Sequence, residues 1–187
     1  MDFSKAFDNV RHVLLADKLK ALSLNPFITN WYLNFFKDRK QRLIFNGNSY
    51  DWKTVNKGTT QGSVSGPYLF NIFVNDLEVN LGPSVKLIKY ADDATLTVAV
   101  DKTGNDLSEI AVNVYIDWAS RNCMSCNLAK CKELAICKKN VLSPNFKPVN
   151  GITQLSTLKI LGVTFQNNGR FLEHIRLKLA EANKCLY

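Results

Sequence analysis

The stretch that most constrains this chain is Lys89-Tyr90-Ala91-Asp92-Asp93, two adjacent carboxylates between two runs of alternating residues. Before it, Val85, Leu87 and Lys89 point one way while Lys86, Ile88 and Tyr90 point the other. After it, Leu96, Val98 and Val100 share one face, with Thr95 and Thr97 opposite. A period of two is the mark of a half-buried strand, so the segment reads as a tight hairpin presenting Asp92 and Asp93 at its tip. Two anions held that close repel, and they require a counter-charge or a raised pKa. Mg²⁺ or Mn²⁺ suits carboxylate oxygens and supplies the counter-charge. A solvated Asp-Asp turn is the alternative that the hairpin alone leaves open, aspartate being a common turn residue.

Such a hairpin needs a core behind it. The 187 residues suffice for one domain and are too few for two comfortable ones, and a 46% hydrophobic content is that of a globular chain. With no repeat, linker or low-complexity segment, residues 1–187 read as one α/β unit. Twenty-four Lys and Arg against sixteen Asp and Glu leave +8, which makes a polyanion the natural partner. No apolar run reaches transmembrane length and no signal-peptide pattern opens the chain, so an intracellular protein without a membrane partner is expected. The five cysteines include one C-x-x-C, Cys123 to Cys126, with no second pair, and His12 and His174 lie far from it in sequence. That spacing does not make a zinc site, and reduced thiols are expected.

Helical spacing appears in Leu15, Leu19 and Leu22 after Val10, ended by Asn25-Pro26, which can cap and start the next helix. There Phe27, Trp31 and Phe35 form a stripe expected in the core. Gln41 to Phe45 and Tyr50 to Val55 read as strands joined through Asn46-Gly47-Asn48, a hairpin signal. Just before lies a basic cluster, Lys37, Arg39, Lys40 and Arg42, open to two readings: a solvated face or phosphate contact. Gly58 to Pro67 is a glycine-rich loop but not a P-loop, since no Lys follows Gly62. It leads into a helix carrying Leu69, Ile72, Phe73 and Leu77. Leu107, Ile110, Ala111, Val114 and Trp118 mark another helix. Lys132 to Lys138 reads as a strand with Leu134 and Ile136 inward, Pro144 and Pro148 as a loop, and Leu158 to Phe165 as a strand. Phe171, Ile175, Leu179, Ala182 and Leu186 make a last helix.

Taken together, the motifs resemble the reverse transcriptase of non-LTR (LINE-type) retrotransposons. Asp2-Phe3-Ser4-Lys5-Ala6-Phe7-Asp8, with Val10, His12, Leu14 and Leu15, resembles that family's first palm motif. Gln61-Gly62-Ser63-Val64-Ser65-Gly66-Pro67, with Leu69-Phe70 and Asn75-Asp76-Leu77, resembles the second, and Tyr90-Ala91-Asp92-Asp93 matches the third. Asn127-Leu128-Ala129-Lys130-Cys131-Lys132 is similar to the fourth, and Leu161-Gly162-Val163 resembles the hairpin that grips the primer end. The departures are Thr60 where Pro is common and Cys131 where Thr is common.

The resemblance implies a polymerase palm: an antiparallel sheet with a catalytic Asp-Asp hairpin packed against helices. It also implies a chain lacking the fingers motifs before Asp2 and a complete thumb after Tyr187. The implied activity is RNA-directed DNA synthesis on an RNA template and a DNA primer from deoxynucleoside triphosphates. Two metal ions, about 3.5–4 Å apart, clamp the reacting oxygens in such transfers. Asp2, Asp92 and Asp93 are the implied catalytic carboxylates and metal ligands. The primer hydroxyl is the nucleophile, so no Ser-His or Cys-His pair is required. Phe7 is the implied gate against the ribose 2′-hydroxyl, with a plain core Phe as the other reading. Gln61 and Gly62 are implied along the nascent pair, Leu161 and Gly162 at the primer end. Lys130 is implied at the pyrophosphate, with Lys132 a rival.

Asp2, so near the start, is expected to fray and to leave a sheet edge open beside the hairpin. Two alternatives stand beside the polymerase: a catalytically dead nucleic-acid-binding remnant, and a cyclase that joins nucleotides, with paired carboxylates on a similar palm-like sheet. The Gln61-Gly62 loop and Leu161-Gly162-Val163 argue against the cyclase. The expected location is inside the cell, in nucleus or cytoplasm.

Overall fold

Turn residues divide the chain into short helices and short ladders. The computed structural model describes residues 1–100, 104–137 and 147–185. After a 3₁₀ turn at Phe7–Asn9 come α1 (His12–Ala21), α2 (Pro26–Phe36), β1 (Lys40–Gln41), β2 (Ile44–Phe45), β3 (Asn48–Ser49), β4 (Lys53–Thr54) and α3 (Ser65–Phe73). Then follow β5 (Val85–Tyr90), β6 (Asp93–Val98), α4 (Ser108–Arg121), β7 (Lys132–Glu133), β8 (Thr153–Gln154), β9 (Thr157–Ile160), β10 (Val163–Gln166) and α5 (Leu172–Cys185). The fold is mixed helix and strand. Its ladders are two-stranded: β1–β4, β2–β3, β5–β6 and β9–β10 antiparallel, β7–β8 parallel. The described residues thus carry several small sheets where one antiparallel sheet was expected.

The core forms where apolar periods meet. On α1, His12, Leu15 and Leu19 are buried at i, i+3 and i+7, and on α3 Leu69, Phe70 and Phe73 are buried. Phe3 stacks on Tyr115 of α4 with ring centroids 5.1 Å apart, and Phe73 meets Trp118 edge-on at 6.2 Å. One apolar cluster joins these groups to Val85 and Ala94 of the β5–β6 hairpin. The buried face of α4 is Ala111, Val112, Tyr115, Trp118 and Ala119, so Ile110, expected inward, is exposed. Leu77 is buried after α3 has ended, its N–H reaching the Val74 carbonyl at 3.1 Å.

Four further expectations are corrected. The Asn25 side chain does cap α2, accepting from the Phe27 N–H at 2.9 Å. Yet Phe27 is 84% and Trp31 58% exposed, and the buried residue is Phe36, whose ring lies 4.5 Å from that of His12. The helix meets the core through its last turn, while Trp31 and Phe35 stack on each other at 5.6 Å. β7 is shorter than the run Lys132 to Lys138, and Ile136 is exposed, with Leu134 half-buried. Its parallel pairing ends where the Leu155 N–H meets the Glu133 carbonyl at 2.8 Å; Lys138 and Pro144 lie outside the described residues. The run Leu158 to Phe165 is not one strand. It reverses at Leu161-Gly162, with φ of +47° and +86°, the two-residue turn that suits strand twist. On α5 the stripe Phe171, Ile175 and Leu179 flanks or lies on the helix but is exposed; Leu186 lies outside the described residues. No described helix is long and apolar enough to cross a membrane.

Candidate active site

The alternation around the Asp pair folds as its period dictates. Val85 and Ala94 are buried, Leu87, Leu96 and Val98 half-buried, and Ile88 and Tyr90 exposed. Tyr90 pairs with Asp93, which leaves Ala91-Asp92 as a two-residue turn with Ala91 at φ +51°. An L-residue in that left-handed region costs about 1–2 kcal/mol, so the turn is held by its surroundings. Lys89 supplies part of the hold. Its ammonium donates to the carbonyls of Val74 (2.9 Å), Asn75 (3.2 Å) and Leu77 (3.0 Å), just past the end of α3. Lys18 acts beside it, donating to the Phe73 carbonyl at 2.7 Å and to Asp76 at 2.5 Å, with the rings of Phe73 and Trp118 each 4.7 Å away. Burial pulls the pKa of both lysines below the ordinary lysine value. Asp76 offsets this at Lys18, and Glu78 and Asp76 do so at Lys89.

Asp2 reaches the hairpin through the backbone. The Met1 ammonium donates to the Ala94 carbonyl at 2.6 Å and the Ala94 N–H to the Met1 carbonyl at 3.4 Å. On the other side Asn127 N–H donates to the Asp2 carbonyl at 2.9 Å, Ser4 N–H to Ser125 at 2.8 Å, and Phe3 bridges Cys126. Residues 1–4 therefore lie between β6 and the segment 125–127, and the expectation that Asp2 frays beside an open edge is corrected. Continuing the antiparallel Met1–Ala94 register brings Asp2 opposite Asp93. The Asp2 N–H points at the Cys131 sulfur at 3.3 Å, and its Oδ1 is buried with no hydrogen-bond partner in the protein.

The groups behind Asp2 are desolvated. Burial pushes the Cys126 thiol up to about 11, with Cys131 and Asp2 adding and the N-terminal ammonium opposing. Burial, then Cys126, Cys131 and Asp2, holds the Tyr115 phenol far above its ordinary value, and its hydroxyl is also unpartnered. Asp92 and Asp93 are exposed. Among the described residues, no three His, Cys, Asp or Glu side chains are gathered as a ready metal cage.

The glycine-rich loop is tied to the first motif. Thr59 N–H donates to the Phe7 carbonyl at 2.9 Å, and the Gln61 amide donates to Asp8 at 2.8 Å. Gly62 is exposed at φ +75°, with open space where a Cβ would stand, so its backbone conformation is what requires glycine. At Gly66 a Cβ would meet the Thr60 carbonyl at 2.9 Å, a packing reason instead. Phe7 is half-buried, its ring 4.4 Å from that of Phe70. Lys130 is exposed on the turn that follows Asn127, whereas the Lys132 ammonium folds back onto the Ala129 carbonyl at 3.0 Å. Leu161 and Gly162 form the exposed tip of the β9–β10 hairpin, which packs with α5. The structure thus joins Asp2 to the Asp93 strand, and the Phe7–Asp8 segment to Gln61. The cysteines of the described residues are free thiols.

Sequence reasoning passed over Lys18, Lys89 as an anchor, and Tyr115. A signal existed for Lys89, a charged residue in phase with Val85 and Leu87 on the inward face of its strand.

Residues 1–165 match the family described as reverse transcriptase (RNA-dependent DNA polymerase), and the chain belongs to that family. Its relatives narrow the class to mobile elements. The chain is 29% identical, over 94% of its length, to "RNA-directed DNA polymerase from mobile element jockey" of Drosophila funebris. It is 27% identical, over its whole length, to the "Retrovirus-related Pol polyprotein from type-1 retrotransposable element R1" of Bradysia coprophila. The corresponding R2 polyprotein of Popillia japonica is 24% identical over 90% of the chain. The chain spans 20% of the jockey protein and 19% of the R1 protein.

Proposed function

We propose that this chain is the palm of an RNA-directed DNA polymerase of a non-LTR retrotransposon, adding deoxynucleotides to a primer 3′-hydroxyl along an RNA template. The observation that carries the reading is the Asp2 carboxylate, opposite Asp93 in register, with one oxygen buried and unpartnered. Buried polar atoms are as a rule satisfied, and a lone hard oxygen on a strand in register with Asp93 suits a divalent cation. Reverse transcriptases use divalent metal ions; here Asp2, Asp92 and Asp93 would hold two, Mg²⁺ or Mn²⁺. When bound, they supply charge neutralisation at the attacking and leaving oxygens.

The chain's own residues do the remaining work. Phe7, resting on Phe70, would stand against the sugar 2′ carbon. Gln61, oriented by Asp8, and the Cβ-free backbone of Gly62 would lie along the nascent pair. Lys130 would face the pyrophosphate, the more so because Lys132 is engaged with Ala129. The Leu161-Gly162 tip would hold the primer end. Reverse transcription of an element's RNA would take place in the nucleus or cytoplasm.

The test is Asp92→Asn in a protein of the relatives' length containing this chain. Primer extension should be abolished while template binding persists. Retained activity within about tenfold, roughly 1.4 kcal/mol in barrier, would refute the assignment.

A second reading is a nucleic-acid-binding remnant without catalysis. The observation favouring it is that no three candidate ligands are gathered among the described residues of a +8 chain. Template binding without extension at any Mn²⁺ concentration, by the unsubstituted protein, would establish it.

A further inference from the structure

The hairpin from β1 to β4 carries a surface that the catalytic reading leaves unused. Between Lys37 and Lys57 stand six basic residues against two acidic ones, so this short segment holds +4 of the chain's +8. The same segment exposes large apolar side chains, with Tyr50 at 54% and Trp52 at 58%. The Arg42 guanidinium lies over the Trp52 ring, 4.8 Å from its centroid.

The register explains the shape. Lys40 pairs with Thr54 and Gln41 with Lys53, but Ile44 pairs with Ser49 and Phe45 with Asn48. With the Tyr50 N–H on the Leu43 carbonyl, Arg42 stands opposite both Asp51 and Trp52, one residue too many on the second strand, and such a β-bulge bends and twists a hairpin. An open groove of about 600 Å³ lies there, lined by Gln41, Arg42, Leu43, Tyr50, Asp51 and Lys53.

This surface is continuous with the candidate active site. Arg39 lies over the Phe35 ring at 4.4 Å and donates to the Thr60 hydroxyl at 3.2 Å, one residue from Gln61. Past β4 the backbone pairs beside the first motif: His12 N–H with Asn56, Gly58 N–H with Val10, Thr59 N–H with Phe7. A strand of nucleic acid crossing the hairpin is thereby led toward the Gln61 loop.

Exposed rings among cations fit one kind of partner closely. A protein partner would bury the cations against desolvation. In a duplex the base faces are already stacked, whereas a single strand offers free base faces for the rings and phosphates for the lysines and arginines. We propose that the β1–β4 hairpin is a docking surface for single-stranded RNA, the uncopied template, with bases on Trp52 and Tyr50 and phosphates at Lys40, Arg42 and Lys53. The identity of the strand as template rests on the polymerase reading; binding of a single strand does not.

The test is fluorescence anisotropy of this chain with a fluorescein-labelled single-stranded 12-nucleotide RNA, the DNA of the same sequence, and a 12-base-pair RNA duplex. Replacing Tyr50→Ala and Trp52→Ala together should weaken single-strand binding at least about tenfold and leave duplex binding within about twofold. Both rings are exposed, so the far-UV circular dichroism should not change, and Trp52→Phe alone should stay within about threefold. Arg42→Gln with Lys53→Gln should flatten the dependence of log Kd on log salt by about 1.4, at roughly 0.7 per phosphate contact. Unchanged single-strand affinity in the aromatic variant overturns the proposal, and so does an equal loss on duplex. Preference for the DNA strand over the RNA overturns the assignment to template RNA. Asp92→Asn should leave all these affinities unchanged. Docking without primer extension by the protein of the relatives' length would thus fail the polymerase reading alone, and extension by that protein with unaltered docking in the aromatic variant would fail this one alone.

Discussion

Lys89→Met tests how the fold holds its carboxylates. The substitution keeps most of the aliphatic stem and removes an ammonium that meets three carbonyls at 2.9, 3.2 and 3.0 Å. Hydrogen bonds from a charged donor are worth about 1.5–3 kcal/mol each at full strength. Here the residue as a whole is exposed, though its ammonium is partly buried, and three acceptors share that ammonium, so screening reduces the sum. Desolvation, which also lowers the Lys89 pKa, subtracts a further part. Against this, the variant leaves the Asn75 and Leu77 carbonyls near a helix end without this donor, while the Val74 carbonyl keeps the Leu77 N–H. The net expectation is a loss of about 2 kcal/mol. With a urea m-value of about 2 kcal/mol/M, the unfolding midpoint falls by about 1 M. Tryptophan fluorescence should report it, Trp118 being buried beside the Lys18 ammonium. Hydrogen exchange should show the β5–β6 amides losing protection ahead of those in α1. A midpoint shift below about 0.25 M would refute the anchoring role.

Ala91→Gly should stabilise the chain by up to about 1 kcal/mol, because glycine adopts φ +51° without the Cβ penalty; a lowered melting temperature would count against that. His12 has its pKa lowered, chiefly by burial, with the Gly58 carbonyl 2.8 Å from its Nε2 opposing. The unfolded chain therefore takes up the proton first: stability is full above about 6.5 and is lost as pH falls through the lower folded value. Urea midpoints at pH 7.5 and 5.5 should differ, and less so in His12→Gln; an identical difference in that variant would exonerate the imidazole. Phe7→Val should raise the ribo- to deoxyribonucleotide ratio of kcat/KM at least about tenfold in the relatives-length protein. An unchanged ratio with lowered stability would make Phe7 a core residue packed on Phe70 and nothing more.

Much of the hairpin was legible in the sequence because its signals are local. A period of two around Asp92-Asp93 specified which residues face inward, and Asn46-Gly47 specified a turn whose φ values are +48° and +77°. The Asn25-Pro26 pair likewise set the start of α2. These are properties of a few adjacent residues, and adjacent residues carry them into the fold. The periods did not say what each face meets. Phe27 and Trp31 keep a helical period yet lie in solvent, because burial depends on which elements close over the helix. The strand run through Leu161 failed for a related reason: two positive φ values end a strand that composition alone would continue.

The site divides in the same way. Its residue types could be read from motifs spaced along the chain, but the meeting of Asp2 with the Asp93 strand depends on Met1 pairing with Ala94, 93 positions away. The attachment of that strand to α3 depends on Lys89 reaching carbonyls of Val74, Asn75 and Leu77. Such contacts close long loops, whose entropy cost is recovered only when many distant groups pack at once. No local pattern encodes that sum, and so the tertiary structure alone decided it.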